Sequence, residues 1–211
     1  MPRIVTVIMC LLACLCVRAD YRILYMNTPT IEIGGKTLKV KDTFRPDSKI
    51  KWTSPRQAIK VLDTETGEKR VLVADDFSKA KAQSAKAYMD YVRKTKRLST
   101  DSYAGKTPIK SLASYLNDRF YLLDTLEVET GVPTDANHYF FITYLHNGQE
   151  ITKAEPNNKG VFTLTHPIFS FNGSRPGREV TVKVYYYDKT VDRVTPVCTN
   201  MRVVILPKKI Q

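Results

Sequence analysis

The pattern of apolar and polar positions changes several times along the chain, and its first section is a continuous apolar run. Residues 4–17 are almost entirely apolar and follow a short basic start at Arg3. As a helix, about 14 residues extend roughly 21 Å, which is short of a bilayer core of about 30 Å. Val17-Arg18-Ala19 fits a signal-peptidase site. Residues 1–19 are therefore predicted to be a secretory signal peptide that is cleaved before Asp20.

The same leader has a second interpretation, in which the protein is anchored to a membrane. Residues 11–14, Leu-Leu-Ala-Cys, resemble a bacterial lipobox, so Cys14 would be lipidated and become the mature N-terminus. Leu15 after the cysteine and the cleavage motif ending at Ala19 favour the released form. We expect a secreted or periplasmic protein without a transmembrane span after signal removal, with a lipoprotein anchored through Cys14 as the alternative.

Short alternating runs predict a small β domain over residues 20–77. Apolar and polar positions alternate on both sides of Gly34-Gly35, which predicts a tight hairpin because glycine adopts a positive φ without a Cβ clash. Two longer strand-like runs stand on either side of residues 63–68, and they predict a second hairpin with its turn at these residues. About five short strands in roughly 60 residues favour a barrel-like unit that hides its strand edges. Trp52, the single tryptophan, is interpreted as a packing residue.

The pattern becomes helical over residues 78–98. Ala85, Tyr88 and Val92 recur at helical spacing and define one apolar face. The other positions are strongly basic, with Asp90 as the only acid. This combination predicts a basic amphipathic helix, which an anionic polymer or membrane could contact. Its cationic residues, which form the candidate binding surface, are Lys79, Lys81, Lys86, Arg93, Lys94, Lys96 and Arg97.

Residues 99–118 are interpreted as a linker that can include a short helix, and residues 119–211 as a second β domain. Asn147-Gly148 between two alternating runs is the strongest hairpin signal in the chain. About six or seven strands in some 90 residues are typical of an immunoglobulin-like β-sandwich. The predicted strands cover residues 121–129, 138–145, 149–153, 161–165, 180–187 and 198–206. The predicted fold class is thus mainly β, with a barrel-like unit and a basic helix followed by this sandwich.

Three consecutive tyrosines stand in one of the predicted strands. Side chains alternate across a strand, so Tyr185 and Tyr187 would face one side of the sheet and Tyr186 the other. Tyrosine suits half-buried positions and contact surfaces. Sandwich packing and a binding interface are both consistent with this run.

Charge and cysteine content limit the candidate functions. The full chain has a net charge of +12. Residues 20–100 contain 18 basic and 10 acidic side chains, whereas residues 101–211 contain 13 and 11, so the basic character belongs mainly to the first half. Cleavage of the leader leaves Cys198 as the only cysteine, which excludes an intrachain disulfide and zinc sites built on paired cysteines. Cys198 stands in a run in which apolar and polar residues alternate, and this predicts that the cysteine is buried.

Catalytic and metal-binding patterns are weak. His138 and His146 are eight residues apart and share a face of a continuous strand, but both are interpreted as ordinary surface histidines without a nearby carboxylate. Ser174 follows a glycine in a Gly- and Pro-rich turn and lacks the Gly-x-Ser-x-Gly pattern of hydrolases. No phosphate-binding glycine loop is present. We therefore expect a non-catalytic protein without a cofactor or metal.

The first half of the chain resembles a small β module of uncharacterised secreted proteins from Bacteroidetes-type bacteria. The resemblance covers roughly residues 21–100 and rests on the runs IEIGGKTLKVKDTF, KWTSPRQAIKVLD and RVLVA. The module often has a glycine where this chain has Lys41. It implies a bacterial, envelope-associated or secreted setting and no particular activity or ligand.

Together these features predict a secreted or periplasmic interaction protein of a bacterial cell envelope, whose partner is a protein or an anionic envelope polymer. Nucleic acid is an unfavourable partner for an exported protein. One alternative is an envelope protein that binds an anionic polymer or membrane through residues 79–97. Another is a hydrolase with a site between the two domains.

Overall fold

The computed structural model describes residues 20–95, 108–155 and 159–210. The described residues divide into two compact units, residues 20–95 (unit one) and residues 108–155 with 159–210 (unit two), and each has its own buried core. Both units consist mainly of β-strands, which confirms the predicted class. The predicted signal peptide and Cys14 lie outside the described residues.

Unit one contains two antiparallel sheets and two helices. One sheet has the strand order β4-β1-β6-β7 and the other has the order β3-β2-β5. The strands are β1 (Tyr21–Met26), β2 (Ile31–Ile33), β3 (Lys36–Leu38), β4 (Thr43–Phe44), β5 (Ile50–Lys51), β6 (Ala58–Asp63) and β7 (Lys69–Val73). The helices are α1 (Ala74–Lys79) and α2 (Ala85–Thr95).

Both hairpins predicted for unit one are present, and each turns at the glycines that predicted it. Gly34 and Gly35 connect β2 to β3 with φ values of 61° and 76°. Gly67, with φ of 74°, lies in the turn between β6 and β7. Both glycine turns require the left-handed backbone that residues with a Cβ seldom adopt.

Lys41 adopts the same left-handed backbone, with φ of 81°. Its N–H donates to the carbonyl of Ile23 at 2.8 Å, and the N–H of Ile23 donates to the carbonyl of Asp42 at 2.9 Å. These two bonds fix the backbone of the segment against β1. A glycine at this position would adopt that φ without a steric cost.

The barrel-like closure predicted for residues 20–77 is not supported, because neither sheet of unit one closes on itself. β7 continues directly into α1 instead of pairing with a further strand. Phe77 of α1 is only 1% exposed and belongs to the same buried cluster as β1 and β6. A helix that directly follows the edge strand β7 therefore contributes to this core.

The single helix predicted over residues 78–98 is two helices separated by a turn. Lys81 has φ of 51°, and the N–H of Ala82 donates back to the carbonyl of Phe77 at 2.9 Å, which ends α1. The Oγ of Ser84 accepts the N–H of Ala87 at 3.2 Å and caps the start of α2. The apolar face predicted for α2 is confirmed, since Ala85 is buried and the ring of Tyr88 stacks on Phe77.

Unit two contains a five-stranded sheet and a two-stranded sheet. The larger sheet has the order β11-β10-β13-β14-β8, and β9 pairs with β12 in the smaller one. The strands are β8 (Arg119–Leu122), β9 (Thr125–Glu129), β10 (His138–His146), β11 (Gln149–Ala154), β12 (Val161–Thr165), β13 (Glu179–Asp188) and β14 (Arg193–Ile205). Helix α3 (Pro108–Leu116) precedes β8, and a 3₁₀ turn spans His166–Phe169.

One strand prediction in unit two is wrong, and one hairpin prediction is confirmed. Residues 121–129 form two strands rather than one, because β8 pairs in parallel with β14 whereas β9 pairs with β12. The hairpin between β10 and β11 turns at Asn147 and Gly148, with φ values of 51° and 79°. Both central residues of this turn have positive φ, as in type I′ hairpins.

The core of unit two takes side chains from both sheets and from α3. Phe140 of β10 contacts Phe162 of β12 with ring centroids 5.5 Å apart. Leu112 and Leu116 of α3 belong to the same buried cluster, so a helix inside the predicted linker contributes to this core. Cys198 is buried with a free thiol, as predicted.

Phe77 is the residue whose removal tests the core of unit one. Its ring lies between Trp52 and Tyr88, with centroid distances of 5.1 and 4.8 Å. We expect Phe77→Ala to lower the free energy of unfolding by about 3–5 kcal/mol, because it removes a fully buried ring and leaves a cavity. Urea unfolding followed by Trp52 fluorescence measures this loss. Val40→Ala, at a position 42% exposed, should change it by only about 0.5 kcal/mol, and equal losses in the two variants would contradict this packing.

Candidate functional site

The outer face of the five-stranded sheet carries a group of aromatic and other apolar side chains, which we name the aromatic face. Odd-numbered residues of β10 and β13 point away from the core, whereas Phe140 and Tyr186 point into it. Val194 and Pro196 of β14 pair with Tyr187 and Tyr185 and are exposed. The aromatic face consists of Tyr139, Phe141, Tyr185, Tyr187, Val194 and Pro196.

Cross-strand ring contacts organise the aromatic face. Phe141 stacks on Tyr185 with centroids 4.9 Å apart and ring planes 11° apart. Tyr139 meets Tyr187 edge to face at 5.3 Å. All four rings are half-buried. The alternation predicted for the three consecutive tyrosines is confirmed, since Tyr186 is 9% exposed and its hydroxyl donates to the carbonyl of Pro133 at 2.9 Å.

An ion pair borders the aromatic face. Lys183 Nζ lies 2.9 Å from Oε1 of Glu150, and the hydroxyl of Thr143 donates to the same oxygen at 3.1 Å. The hydrogen bond with Lys183 lowers the pKa of Glu150, and the same bond raises the pKa of Lys183. The two charges compensate each other, so the border adds little net charge to the face.

The predicted cationic surface over residues 79–97 is only partly assembled by the structure. Lys79 Nζ lies 2.8 Å from Oδ2 of Asp75, one helical turn earlier, so a carboxylate partly neutralises it. Lys81 and Lys86 are exposed and form no ion pair with another described residue. Within the predicted set, and among the side chains that the structure describes, these are the two lysines whose positive charge no carboxylate compensates.

The other four members of that set remain a prediction. Arg93 and Lys94 belong to α2 by their backbone. Lys96 and Arg97 lie outside the described residues.

The structure adds a lysine that sequence spacing did not find. Residues 83–86 lie beside residues 46–50, because Ile50 donates its N–H to the carbonyl of Gln83 and Lys86 donates to that of Pro46, both at 2.8 Å. A β-bridge joins Lys49 to Ser84, and Lys49 is exposed. We name Lys49, Lys81 and Lys86 the lysine surface. Lys49 is more than 30 residues earlier in the chain than its neighbours, so no local pattern could have joined it to them.

His138 lies between two carboxylates, contrary to the expectation of a histidine without acidic neighbours. Its Nδ1 is 2.9 and 3.0 Å from the two carboxylate oxygens of Asp135, and its Nε2 is 3.4 Å from Oδ1 of Asp188. Strand pairing brings Asp188 directly opposite His138. The hydrogen bond with His138 is the largest of the causes that lower the pKa of Asp135.

The surface interpretation of His146 is also wrong. His146 shares the inner face of β10 with Phe140 and is buried. Its Nε2 is 2.5 Å from Oγ of Ser174, and that oxygen is 3.2 Å from the carbonyl of Phe171. Phe171 and Ser174 also exchange two backbone hydrogen bonds across a tight turn. The histidine and serine therefore fasten this turn to the end of β10.

His166 is buried as well, and its Nε2 is 3.0 Å from the carbonyl oxygen of Leu123. Burial is the main cause that lowers the pKa of His166, because desolvation disfavours the charged imidazolium. A neutral imidazole that donates to this carbonyl links the 3₁₀ turn to the segment after β8.

Glu155 is a buried acid that no sequence pattern singled out. It follows β11 directly and is 5% exposed. Oε1 accepts the N–H of Thr163 in β12 at 2.5 Å. Burial raises its pKa to about 7, against a smaller opposing effect of that hydrogen bond.

Across residues 20–95, 108–155 and 159–210, no group of three His, Cys, Asp or Glu side chains is arranged to hold a metal ion. No helix among these residues is both long and apolar enough to cross a membrane. No protein-family model, curated protein or solved structure matches the chain.

The Asp135–His138 pair predicts how stability depends on acid pH. A lowered carboxyl pKa in the folded state adds stability above the ordinary value of 3.8, and this stability is lost as the pH falls through the lowered value. Asp135→Asn keeps an oxygen for the backbone N–H groups of Asn137 and His138 but removes the charge. We expect the variant to unfold at lower urea concentration than the wild type at pH 7.

Below pH 3.8 the difference between the two urea midpoints should narrow, because the wild-type carboxylate then becomes protonated in both states. Glu129→Gln, at an exposed acid of β9, is the control and should show no such trend. A difference in midpoint that stays constant from pH 7 to pH 3 would contradict an electrostatic role for Asp135.

Proposed function

We propose that the protein is a secreted or periplasmic, non-catalytic binding protein of a bacterial cell envelope, and that it binds through the aromatic face. The apolar leader and its cleavage motif support export. The ring geometry of Tyr139, Phe141, Tyr185 and Tyr187 supports the contact surface, and it is the observation on which the proposal depends.

Aromatic rings on an outer sheet face favour binding for a physical reason. Tyrosine and phenylalanine bury a large area at a low cost in side-chain entropy, and aromatic residues are enriched in contact surfaces. The cross-strand pairs already restrict the rings of the aromatic face, so less freedom is lost when a partner covers them. Exposed Val194 and Pro196 extend the same apolar area.

Within this proposal, unit two is an immunoglobulin-like sandwich, and the leader is removed before Asp20. The shared buried cluster between the five-stranded and two-stranded sheets supports the sandwich. A sandwich leaves the outer side of the larger sheet free, which is where the aromatic face lies. Anchoring through Cys14 is the alternative mode of attachment.

Substitution of two tyrosines tests the aromatic face. We expect Tyr185→Thr combined with Tyr187→Thr to weaken cosedimentation of the protein with envelope fragments of a Bacteroidetes-type bacterium by about 30-fold, the effect of losing one dominant contact of about 2 kcal/mol. Threonine keeps strand propensity, so the sheet should be preserved. The bound fraction at increasing fragment concentration gives the apparent affinity.

Tyr115→Thr is the matched control, because this tyrosine is 51% exposed but lies on α3. It should leave the apparent affinity unchanged. Equal affinities of the wild type and the double variant, with the far-ultraviolet circular dichroism of both intact, would rule out the aromatic face as the binding surface.

The lysine surface supports a second candidate function, which is binding of an anionic envelope polymer or membrane. Lys49, Lys81 and Lys86 are exposed on neighbouring segments of unit one, and Lys81 and Lys86 belong to the stretch predicted for this role. Several lysines close together attract a polyanion, and salt screens this attraction over about 8 Å at physiological ionic strength.

A pair of triple variants with equal net charge tests the lysine surface. We expect simultaneous Gln substitution of Lys49, Lys81 and Lys86 to lower the salt concentration at which the protein elutes from heparin, and to reduce cosedimentation with phosphatidylglycerol vesicles. The control carries Gln at three other exposed lysines of unit one, which are Lys36, Lys39 and Lys41.

The two assays distinguish the two possible ligands: heparin represents a polyanion in solution, and the vesicles represent a membrane surface. If the two triple variants elute at the same salt concentration, binding follows net charge alone, and the lysine surface is not a site.

The sequence also predicted, as an alternative, a hydrolase with a site between the two domains. This stays a prediction, and no arrangement of the described residues favours it over the two binding functions.

A further inference from the structure

Ser174 is an exposed serine whose hydroxyl is hydrogen-bonded to a buried histidine. Its Oγ lies 2.5 Å from Nε2 of His146 and 3.2 Å from the carbonyl oxygen of Phe171. A serine hydroxyl has one proton, so it can donate to only one of these two acceptors. Nε2 is the closer acceptor, which favours donation from the serine to the imidazole.

Each member of this pair is held by its own structural element. His146 is the last residue of β10 and pairs with Gln149 across the hairpin. Ser174 closes a tight turn, in which it exchanges two backbone hydrogen bonds of 3.0 Å with Phe171. The Phe171 side chain packs against the core of unit two. Packing on both sides therefore keeps the serine and the imidazole within hydrogen-bond distance, as an activated nucleophile requires.

The turn leaves space beside the serine. Asn172 and Gly173 both have positive φ, 49° and 75°, so two left-handed residues precede Ser174. A Cβ added to Gly173 would have no heavy atom within 4 Å among the described residues, its chain neighbours excepted. There is therefore room next to Oγ for the reacting group of a molecule from solution.

Two cationic side chains lie near the same turn. Arg175 follows Ser174 directly and is exposed, and Nζ of Lys153 is 5.7 Å from the centre of the Phe171 ring. Attack of a hydroxyl on an ester carbonyl places negative charge on the carbonyl oxygen. Positive side chains around the serine favour that charge. The turn thus suits nucleophilic attack better than a neutral or acidic loop would.

We propose that Ser174 is an acyl-acceptor site, at which a carboxylic ester modifies the protein with His146 as the base. Oγ of Ser174 attacks the carbonyl carbon while Nε2 of His146 takes the hydroxyl proton, so a new O–C bond forms. The C–O bond of the ester then breaks, and the leaving alkoxide takes the proton from the imidazolium. The acyl group remains on the serine and the alcohol is released, so no further reactant is required.

This modification goes beyond the two binding functions proposed above. The residues of the aromatic face and of the lysine surface take no part in it, so failure of either binding test would leave it unaffected. Both partners belong to unit two, so the site is distinct from a hydrolase site between the domains. Transfer of one acyl group to the chain is also not turnover of a substrate, and it is compatible with a non-catalytic binding protein.

Acetylation of the full chain by p-nitrophenyl acetate tests the site. We expect transfer of one acetyl group to Ser174, located by tandem mass spectrometry of its peptides. The reaction should be about 100-fold faster, or more, than at the same serine in the urea-unfolded chain, because a positioned base contributes about 10²–10⁴-fold. Ser174→Ala should remove this acetylation.

Ser114 is the matched control. It is also exposed, and its hydroxyl also donates to a backbone carbonyl, that of Lys110 at 3.3 Å. Ser114→Ala should be acetylated at Ser174 as fast as the wild type. Ser114 itself should react no faster in the folded chain than in the unfolded one.

Replacement of the base is the second test. His146→Gln keeps a side chain that can bond to Ser174 but cannot take its proton, so acetylation should slow by about 100-fold or more. The wild type gives a measurement that does not depend on the folding of this variant. In nitrogen NMR at alkaline pH, Nε2 of His146 should be the unprotonated nitrogen and Nδ1 should carry the proton.

Two results would overturn the proposal. One is acetylation of Ser174 at the same rate in the folded and the unfolded chain. The other is a proton on Nε2 of His146 at alkaline pH. That nitrogen would then donate to Ser174, whose hydroxyl would donate to Phe171, and the pair would only hold the turn in place.

Discussion

The pairing register between β10 and β13 decides which aromatic side chains of unit two are buried and which form its outer surface. Phe140 faces Tyr186 inside the core, and one residue further along, Phe141 faces Tyr185 outside it. A shift of one residue in this pairing would exchange the two sets. The Asn147-Gly148 turn fixes the register of β10 with β11, and the buried ring contact between Phe140 and Phe162 of the second sheet opposes a shift between β10 and β13.

Unit one depends on a comparable constraint, although its central contact comes from a helix. The ring of Phe77 packs against Trp52 and Tyr88 and is buried in the core that the open sheet contributes to. The left-handed backbone at Lys81 turns the chain after α1, so that residues 83–86 return beside β5. The same turn brings Lys49 close to the segment that carries Lys81 and Lys86. Packing of the core and assembly of the lysine surface thus have one structural origin.

Polar groups connect the elements of unit two where apolar packing ends. His138 is held between Asp135 and Asp188 at one end of β10, and His146 contacts Ser174 at the other. Glu155 joins β11 to β12. Two of these connections depend on ionised or ionisable carboxyl groups with opposite shifts in pKa, lowered at Asp135 and raised at Glu155. The first contributes stability that is lost in acid, whereas burial of the second becomes less favourable as the pH rises.

The sequence by itself determined the local features of this protein. Positive φ at Gly34, Gly35 and Gly148, the alternation of Tyr185 to Tyr187 and the apolar face of α2 follow from backbone sterics and side-chain periodicity, which act between near neighbours. Tertiary structure alone decided the features that join distant segments. The features concerned depend on which strands pair and on which side chains the core can bury. They are the separation of β8 from β9, the open sheet with Phe77 in its core, the carboxylates around His138, the burial of Glu155 and the position of Lys49 beside Ser84. Such contacts leave no periodic signal in the chain, because their partners are 20 or more residues apart or lie in a different sheet. Asp135 is the exception, since it is only three residues before His138.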